Sequence, residues 1–137
     1  MMFEHKIDLR VRYSETDKMG FVYYGNYAAY YELGRVEALR TLGLSYRDLE
    51  DNFKIFMPVM SLSVKYLRPG KYDDLLRVHT KIPYLPKDDI LFVSEIFNES
   101  GKCINRAEVL LCFLSAETKK RIDAPDMIVS PLKSYFE

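Results

Sequence analysis

The sequence predicts an α+β domain in which an antiparallel sheet curls around one long helix. Three observations carry this. An early segment alternates polar and apolar residues with period two. One stretch around residues 26–42 changes to helical spacing, and four or five later segments return to strand-like patterning. With 137 residues and no repeat, linker or low-complexity stretch, the chain reads as a single domain over 1–137.

The first element, Phe3 to Tyr13, sets Ile7, Leu9, Val11 and Tyr13 against Lys6, Asp8, Arg10 and Arg12, which describes a strand with one wet face. Ser14 to Gly20 is rich in turn formers. The helix expected over Asn26–Leu42 places Tyr27, Tyr30, Tyr31, Gly34, Val36, Ala38, Leu39 and Leu42 around most of its circumference, so something should wrap it. Asn26 is its expected N-cap and Gly43 its terminator. A short helix from Ser45 to Asn52 follows.

Met60 to Tyr66 and Leu76 to Ile82 then alternate as strands. Ile90 to Phe97, almost continuously apolar, reads as a central strand. Ala107, Val109, Leu111 and Phe113 form the next strand, and Ile128 to Tyr135 is a candidate last strand. Such a sheet leaves an edge, which pairing in a dimer would cover.

Twenty basic and twenty acidic side chains cancel. This leaves none of the basic stripe expected of a nucleic-acid or membrane-surface binder. No apolar run is long enough for a signal peptide or a bilayer span. Cys103 and Cys112 fall nine residues apart in one strand-like segment, which would hold them roughly 30 Å apart, too far for a disulfide. Two free thiols in a cytoplasmic protein are expected.

No Gly-x-Ser-x-Gly elbow, glycine-rich phosphate loop or Cys-x-x-Cys pair is present. His5 and His79 lie in separate strands without metal-ligand spacing, so neither a metal nor a cofactor is expected. The distinctive stretch is Tyr13 to Tyr27. There Asp17 sits in a tight loop seven residues before the amides that open the helix at Tyr24. Those amides carry partial positive charge and have no intrahelical partner. They suit a polarised carbonyl and the oxyanion formed on attack, while Asp17 suits a nucleophile or a base for water. A turn-forming role for Asp17 is the simpler alternative.

The stretch resembles the signature of the 4-hydroxybenzoyl-CoA thioesterase family and its relatives, including acyl-CoA thioesterases associated with the Tol–Pal envelope system. The shared residues are Arg12-Tyr13, Glu15-Thr16-Asp17, Gly20, Val22-Tyr23, Asn26-Tyr27, Glu32 and Arg35, with Val64-Lys65-Tyr66, Pro69, Tyr72 to Leu75 and Ala107-Glu108-Val109 beyond. The resemblance implies a hotdog fold and hydrolysis of an acyl thioester carried by CoA or an acyl-carrier protein. It implies Asp17 as catalytic carboxylate and the Tyr24 N–H as the group polarising the carbonyl. It also implies a homodimer or dimer of dimers, with Tyr23 and Asn26 facing Pro58, Val59, Met60 and Ser61 of a partner chain across the acyl pocket.

Two departures stand out. Tyr24 occupies a position where the Tol–Pal-associated relatives usually carry histidine. Pro86-Lys87-Asp88-Asp89 replaces a turn where relatives often place Arg and Ser near the CoA phosphates, and its two carboxylates repel phosphate. Glu32 is the competing acid, with an i,i+3 ion pair to Arg35 as its structural explanation. A hydratase of the same fold would need a histidine beside the helix, which is missing. A non-catalytic acyl-thioester-binding or scaffold protein is the alternative outside enzymes.

Overall fold

A computed structural model describes residues 1–137. Its strands are β1 (Phe3–Arg10), β2 (Ile55–Phe56), β3 (Val59–Tyr66), β4 (Leu75–Ile82), β5 (Asp89–Phe97), β6 (Cys103–Ser115) and β7 (Arg121–Ile122). The helices are α1 (Tyr27–Thr41), α2 (Tyr46–Asp51) and α3 (Asp126–Leu132). The antiparallel sheet runs β1-β4-β5-β6, with β3 on the other side of β6 and the short β2 and β7 at the C-terminal end of β6. β5 is central, as its apolar run predicts. Its Ile90, Phe92, Ser94 and Ile96 are buried, whereas the intervening residues are only half-buried.

α1 lies across the inner face of the sheet. Around its first half, Tyr27, Tyr30 and Tyr31 pack with Val11, Val22, Leu76, Val78, Ile96 and Ile104. Around its second half, Ala38 and Leu39 pack with Phe3, Ile82, Phe92, Phe113, Ile128 and Leu132. Each large apolar side chain fully buried here contributes about 1.5–3 kcal/mol. The helix can approach β4 this closely because of Gly34. A Cβ there would stand 2.5 Å from Thr80 Oγ1 and 2.9 Å from Val78 Cγ1.

Several expectations change. The sheet packs on one face of α1 and leaves Ala28, Ala29, Glu32 and Leu33 exposed on the other. Asn26 holds the N-cap position of α1, but its side chain caps no helix amide: a 3-10 turn over Tyr24–Asn26 starts the helical path earlier, and the Asn26 amide donates to Glu15 O. Gly43 does terminate it, with Leu44 N–H bonding back to Leu39 O. Tyr13 leaves the β1 pattern for a 3-10 turn and is exposed. The C-terminal segment is α3 followed by a 3-10 turn, not a strand; Ile128 and Leu132, four apart, are both fully buried on one helical face. Cys103 and Cys112 both lie on β6 and are free. No helix is long and apolar enough to cross a membrane.

One residue ties β1, the following loop and α1 together. Glu15 Oε1 accepts from the Arg12 N–H at 2.8 Å and from the Tyr30 hydroxyl at 3.0 Å, and Oε2 accepts from the Arg12 guanidinium. The Glu15 carbonyl accepts from Tyr23 N–H at 2.9 Å and from Asn26 Nδ2 at 2.8 Å. Burial alone would raise the Glu15 pKa, but the Arg12 and Tyr30 donors outweigh it and hold it below the ordinary carboxylate value. The ionised form therefore stabilises the fold at neutral pH. That contribution is lost as pH falls through the lowered folded pKa.

Two measurements follow. Glu15→Gln should lower stability at pH 7 by about 1–3 kcal/mol in denaturant unfolding. The gap to wild type should narrow as pH drops below the carboxylate range; a gap that is constant with pH contradicts the charged role. Gly34→Ala should cost roughly 1–3 kcal/mol by forcing α1 off β4, and an unchanged Tm contradicts the close approach.

Candidate active site

The loop between β1 and the 3-10 turn at Tyr24 is built on Asp17. Its Oδ1 accepts from the N–H groups of Met19 at 2.9 Å and Phe21 at 3.2 Å, and its own N–H donates to Phe21 O at 2.8 Å. Gly20, at φ +81, supplies the left-handed residue that lets this loop close. Asp17 is thus a turn former, as the simpler sequence reading holds. Only one carboxylate oxygen serves that purpose, however. Oδ2 makes no hydrogen bond, and Asp17 lines a pocket.

That pocket, about 390 Å³, lies between the Asp17 loop and the end of β3. Asp17, Phe21, Tyr24, Tyr27, Tyr66 and Arg68 are among its walls. The Tyr66 ring stands edge-on to both Tyr24 and Tyr27, at 6.4 and 5.6 Å between centroids, and its hydroxyl donates to Tyr24 O at 3.4 Å. Tyr27 is buried, which raises its pKa, and its hydroxyl accepts from Gly70 N–H at 3.2 Å. It therefore stays neutral and serves as wall and prop.

At Tyr24 the chain begins its 3-10 turn. The N–H groups of Tyr24 and Gly25 donate to no loop carbonyl, whereas the neighbouring Tyr23 and Asn26 N–H groups bond to Glu15 O and Tyr23 O. A helix opening of this kind presents free donors to an incoming oxygen. A carboxylate with one free oxygen and unpaired amides near the same cavity can attack, or activate water against, a polarised carbonyl.

Only some of the expected site residues meet here. Asp17 and Tyr24 share the pocket. Tyr23 is half-exposed and stacks at a tilt on Tyr24, 4.8 Å between centroids, without lining the cavity. Asn26 is a tie: its amide holds the Glu15 carbonyl, so its effect on the site passes through the loop. Pro58, Val59, Met60 and Ser61 are exposed at the start of β3. Tyr66, which does line the cavity, lies at the other end of that strand, roughly 20 Å away from Val59. Within one chain those four residues and Asp17 are apart.

Glu32 also stands outside the pocket and forms no ion pair with Arg35, contrary to the i,i+3 expectation. Arg35 turns inward instead, 5% exposed, with its guanidinium 6.0 Å from the centre of the Phe92 ring. The turn at Pro86 to Asp89 lies near β7, where Lys87 O accepts from Ala124 N–H and Asp88 O from the Arg121 guanidinium. Two wall residues, Tyr66 and Arg68, escape sequence reasoning as site residues. Their only signal is position, at the strand end facing the Gly20–Val22 loop, and that pairing is long-range.

Comparison with known proteins bears on the fold and the reaction class. The model of the thioesterase superfamily matches residues 19–104, a span that opens two residues after Asp17. The acyl-CoA thioester hydrolase YbgC of Escherichia coli O6:H1 is 33% identical over 125 residues, covering 91% of this chain and 92% of the relative. The structure of a DHNA-CoA thioesterase from Staphylococcus aureus superposes with a TM-score of 0.83 at 33% identity, over 88% of this chain and 80% of that one. A mutant 4-hydroxybenzoyl-CoA thioesterase in complex with 4-hydroxybenzoyl-CoA shares the fold, with TM-score 0.85 at 17% identity over 95% and 99% of the two chains. The hotdog α+β fold and the chemistry of thioester hydrolysis stand together: this chain belongs to the thioesterase superfamily.

Proposed function

We propose that this thioesterase cleaves an acyl thioester of CoA type through Asp17, which either attacks the thioester carbonyl or deprotonates the water that does. The observation that carries the reading is the division of labour at Asp17. Oδ1 is spent on the loop amides, Oδ2 makes no hydrogen bond, and Asp17 lines the pocket. The Tyr24 N–H would hold the carbonyl oxygen as it gains charge. Tyr24 itself, 65% exposed, brings its backbone rather than a proton-transfer group. The products are the free acid and the thiol. Acyl-CoA is the preferred substrate class because the relatives carry that chemistry in their names. Free thiols on β6 suit a reducing compartment, and the cytoplasm is the proposed address.

The active form is proposed to be a homodimer, or a dimer of such dimers, joined along β3. This strand is an edge: it pairs only with β6, and Val59, Met60, Leu62 and Tyr66 are each about half exposed. An unprotected apolar edge of eight residues is a template for a second strand. Antiparallel pairing of two β3 strands about a two-fold axis would set the start of one against the end of the other. The partner's Pro58, Val59, Met60 and Ser61 would then reach this chain's Tyr66 end, closing the pocket that one chain leaves open.

Asp17→Asn separates the two duties, because the amide oxygen can still accept from Met19 and Phe21. kcat for a panel of acyl-CoA thioesters, read by thiol release, should fall roughly 10²–10⁴-fold while Tm stays near wild type; near-normal kcat removes the proposal. Sedimentation should give about twice the 16.1 kDa chain mass or a multiple of it. Met60→Lys with Leu62→Lys should shift the protein to monomer and reduce activity in parallel. A fully active wild-type monomer contradicts the shared pocket.

A further inference from the structure

Beyond Arg68, the pocket opens into a second groove of about 390 Å³ with a different character. Arg68 and Pro69 belong to both, and no apolar side chain apart from the Pro69 ring lines the second. Three cations converge there: Arg68, Lys71 and Lys102. None of them forms an ion pair with any carboxylate in the chain. The groove also holds Asp74 and Glu99, but both are engaged with backbone amides. Asp74 Oδ2 accepts from Lys71 N–H at 2.9 Å and Glu99 Oε1 from Leu75 N–H at 3.2 Å. The groove thus sets three cations against two carboxylates and carries a net positive charge, whereas the turn at Pro86–Asp89 sets one lysine against two aspartates.

The backbone holds these cations in fixed relation to Asp17. Val22 N–H donates to Gly70 O at 2.8 Å, Tyr72 N–H to Gly20 O at 2.9 Å, and Phe21 bridges to Lys71. Lys102 stands on the β5–β6 turn, which the Asn98 side chain organises by accepting from the Ser100 and Lys102 N–H groups. Arg68 N–H donates to Ile104 O at 3.0 Å, tying the third cation to the same strand. An Arg and two Lys side chains on such a frame suit a polyanion: the guanidinium offers a planar fork to phosphate, and the ammonium groups act as point charges.

We propose that Arg68, Lys71 and Lys102 dock the phosphates of a nucleotide-bearing thiol carrier while its acyl thioester reaches Asp17. This rests on the thioesterase reading above, and places the carrier's phosphates on this groove rather than on the acidic turn at Asp88-Asp89. Charge is the recognition element, so binding weakens with added salt.

The test is calorimetric titration of the full chain with CoA and, separately, with adenosine 3′,5′-bisphosphate. Wild type is compared with Lys71→Glu/Lys102→Glu, with Lys87→Glu at the turn before β5, and with Lys133→Glu as a remote charge control. The double reversal should raise the CoA Kd at least tenfold, whereas neither single variant should. The KM for acyl-CoA should rise at least tenfold relative to that for the matching acyl-pantetheine, which lacks the nucleotide. Rapid acyl-CoA hydrolysis with a KM unmoved by the double reversal overturns the groove while leaving the thioesterase reading intact. So does a larger loss from Lys87→Glu. CoA binding lost in the double variant, in a wild type that hydrolyses no thioester, supports the groove and overturns the catalytic reading. Circular dichroism of each variant identifies a misfolded one, and Lys71→Gln/Lys102→Gln then repeats the measurement.

Discussion

The site depends on how Glu15 is held. Its carboxylate joins the end of β1, through Arg12, to the helix, through Tyr30, and its carbonyl gathers the amides of Tyr23 and Asn26. Everything between these anchors is a short loop whose only freedom is its own turn. Asp17 and Phe21 close that turn, and Phe21 and Val22 then meet Lys71 and Gly70. A polar side chain with 15% exposure is thus the point where strand, loop and helix register with one another. Fixing both ends of the loop preorganises a carboxylate and a pair of amides, which is what electrostatic catalysis requires.

The same logic explains why the tyrosines cluster. Tyr27, Tyr30 and Tyr31 bury their rings under α1 while each hydroxyl finds a polar group: Gly70 N–H, Glu15 and Asn105 respectively. Burial raises the pKa of all three, so they remain neutral donors or acceptors rather than charges. Leucine would fill comparable volume but would leave the Glu15 carboxylate and the Asn105 side chain short of a partner. Aromatic content here is scaffolding, and the exposed Tyr24 and Tyr66 are the ones in a position to touch an acyl group.

Much of the fold was legible because its signals are local. Period-two alternation marks β1, β4 and β6, the change to helical spacing marks α1, and Ser45 caps α2 as its position suggests. The failures share a cause. Ile128 and Leu132 read as strand residues in isolation, yet tertiary burial of two positions four apart selects a helix. Asn26 looks like a cap by residue type, but the distant Glu15 carbonyl claims its amide. Arg35 looks like a surface ion-pair partner, but the Phe92 ring, 57 residues on in the sequence, draws it inward. Asp17 stands out in the sequence by motif and spacing. Tyr66, Arg68 and Lys102, which line the pocket and the adjoining groove, do not, because β3–β6 pairing that no short window contains brings them there.

The central claim is that a thioester carbonyl sits between Asp17 Oδ2 and the Tyr24 N–H. The most direct measurement is a crystal structure of the protein with a non-hydrolysable acyl-CoA analogue. The account predicts the carbonyl oxygen within about 2.7–3.1 Å of Tyr24 N, with Asp17 Oδ2 facing the carbonyl carbon directly or through one water. An analogue whose carbonyl lies beside Glu32, or away from both groups, would contradict it.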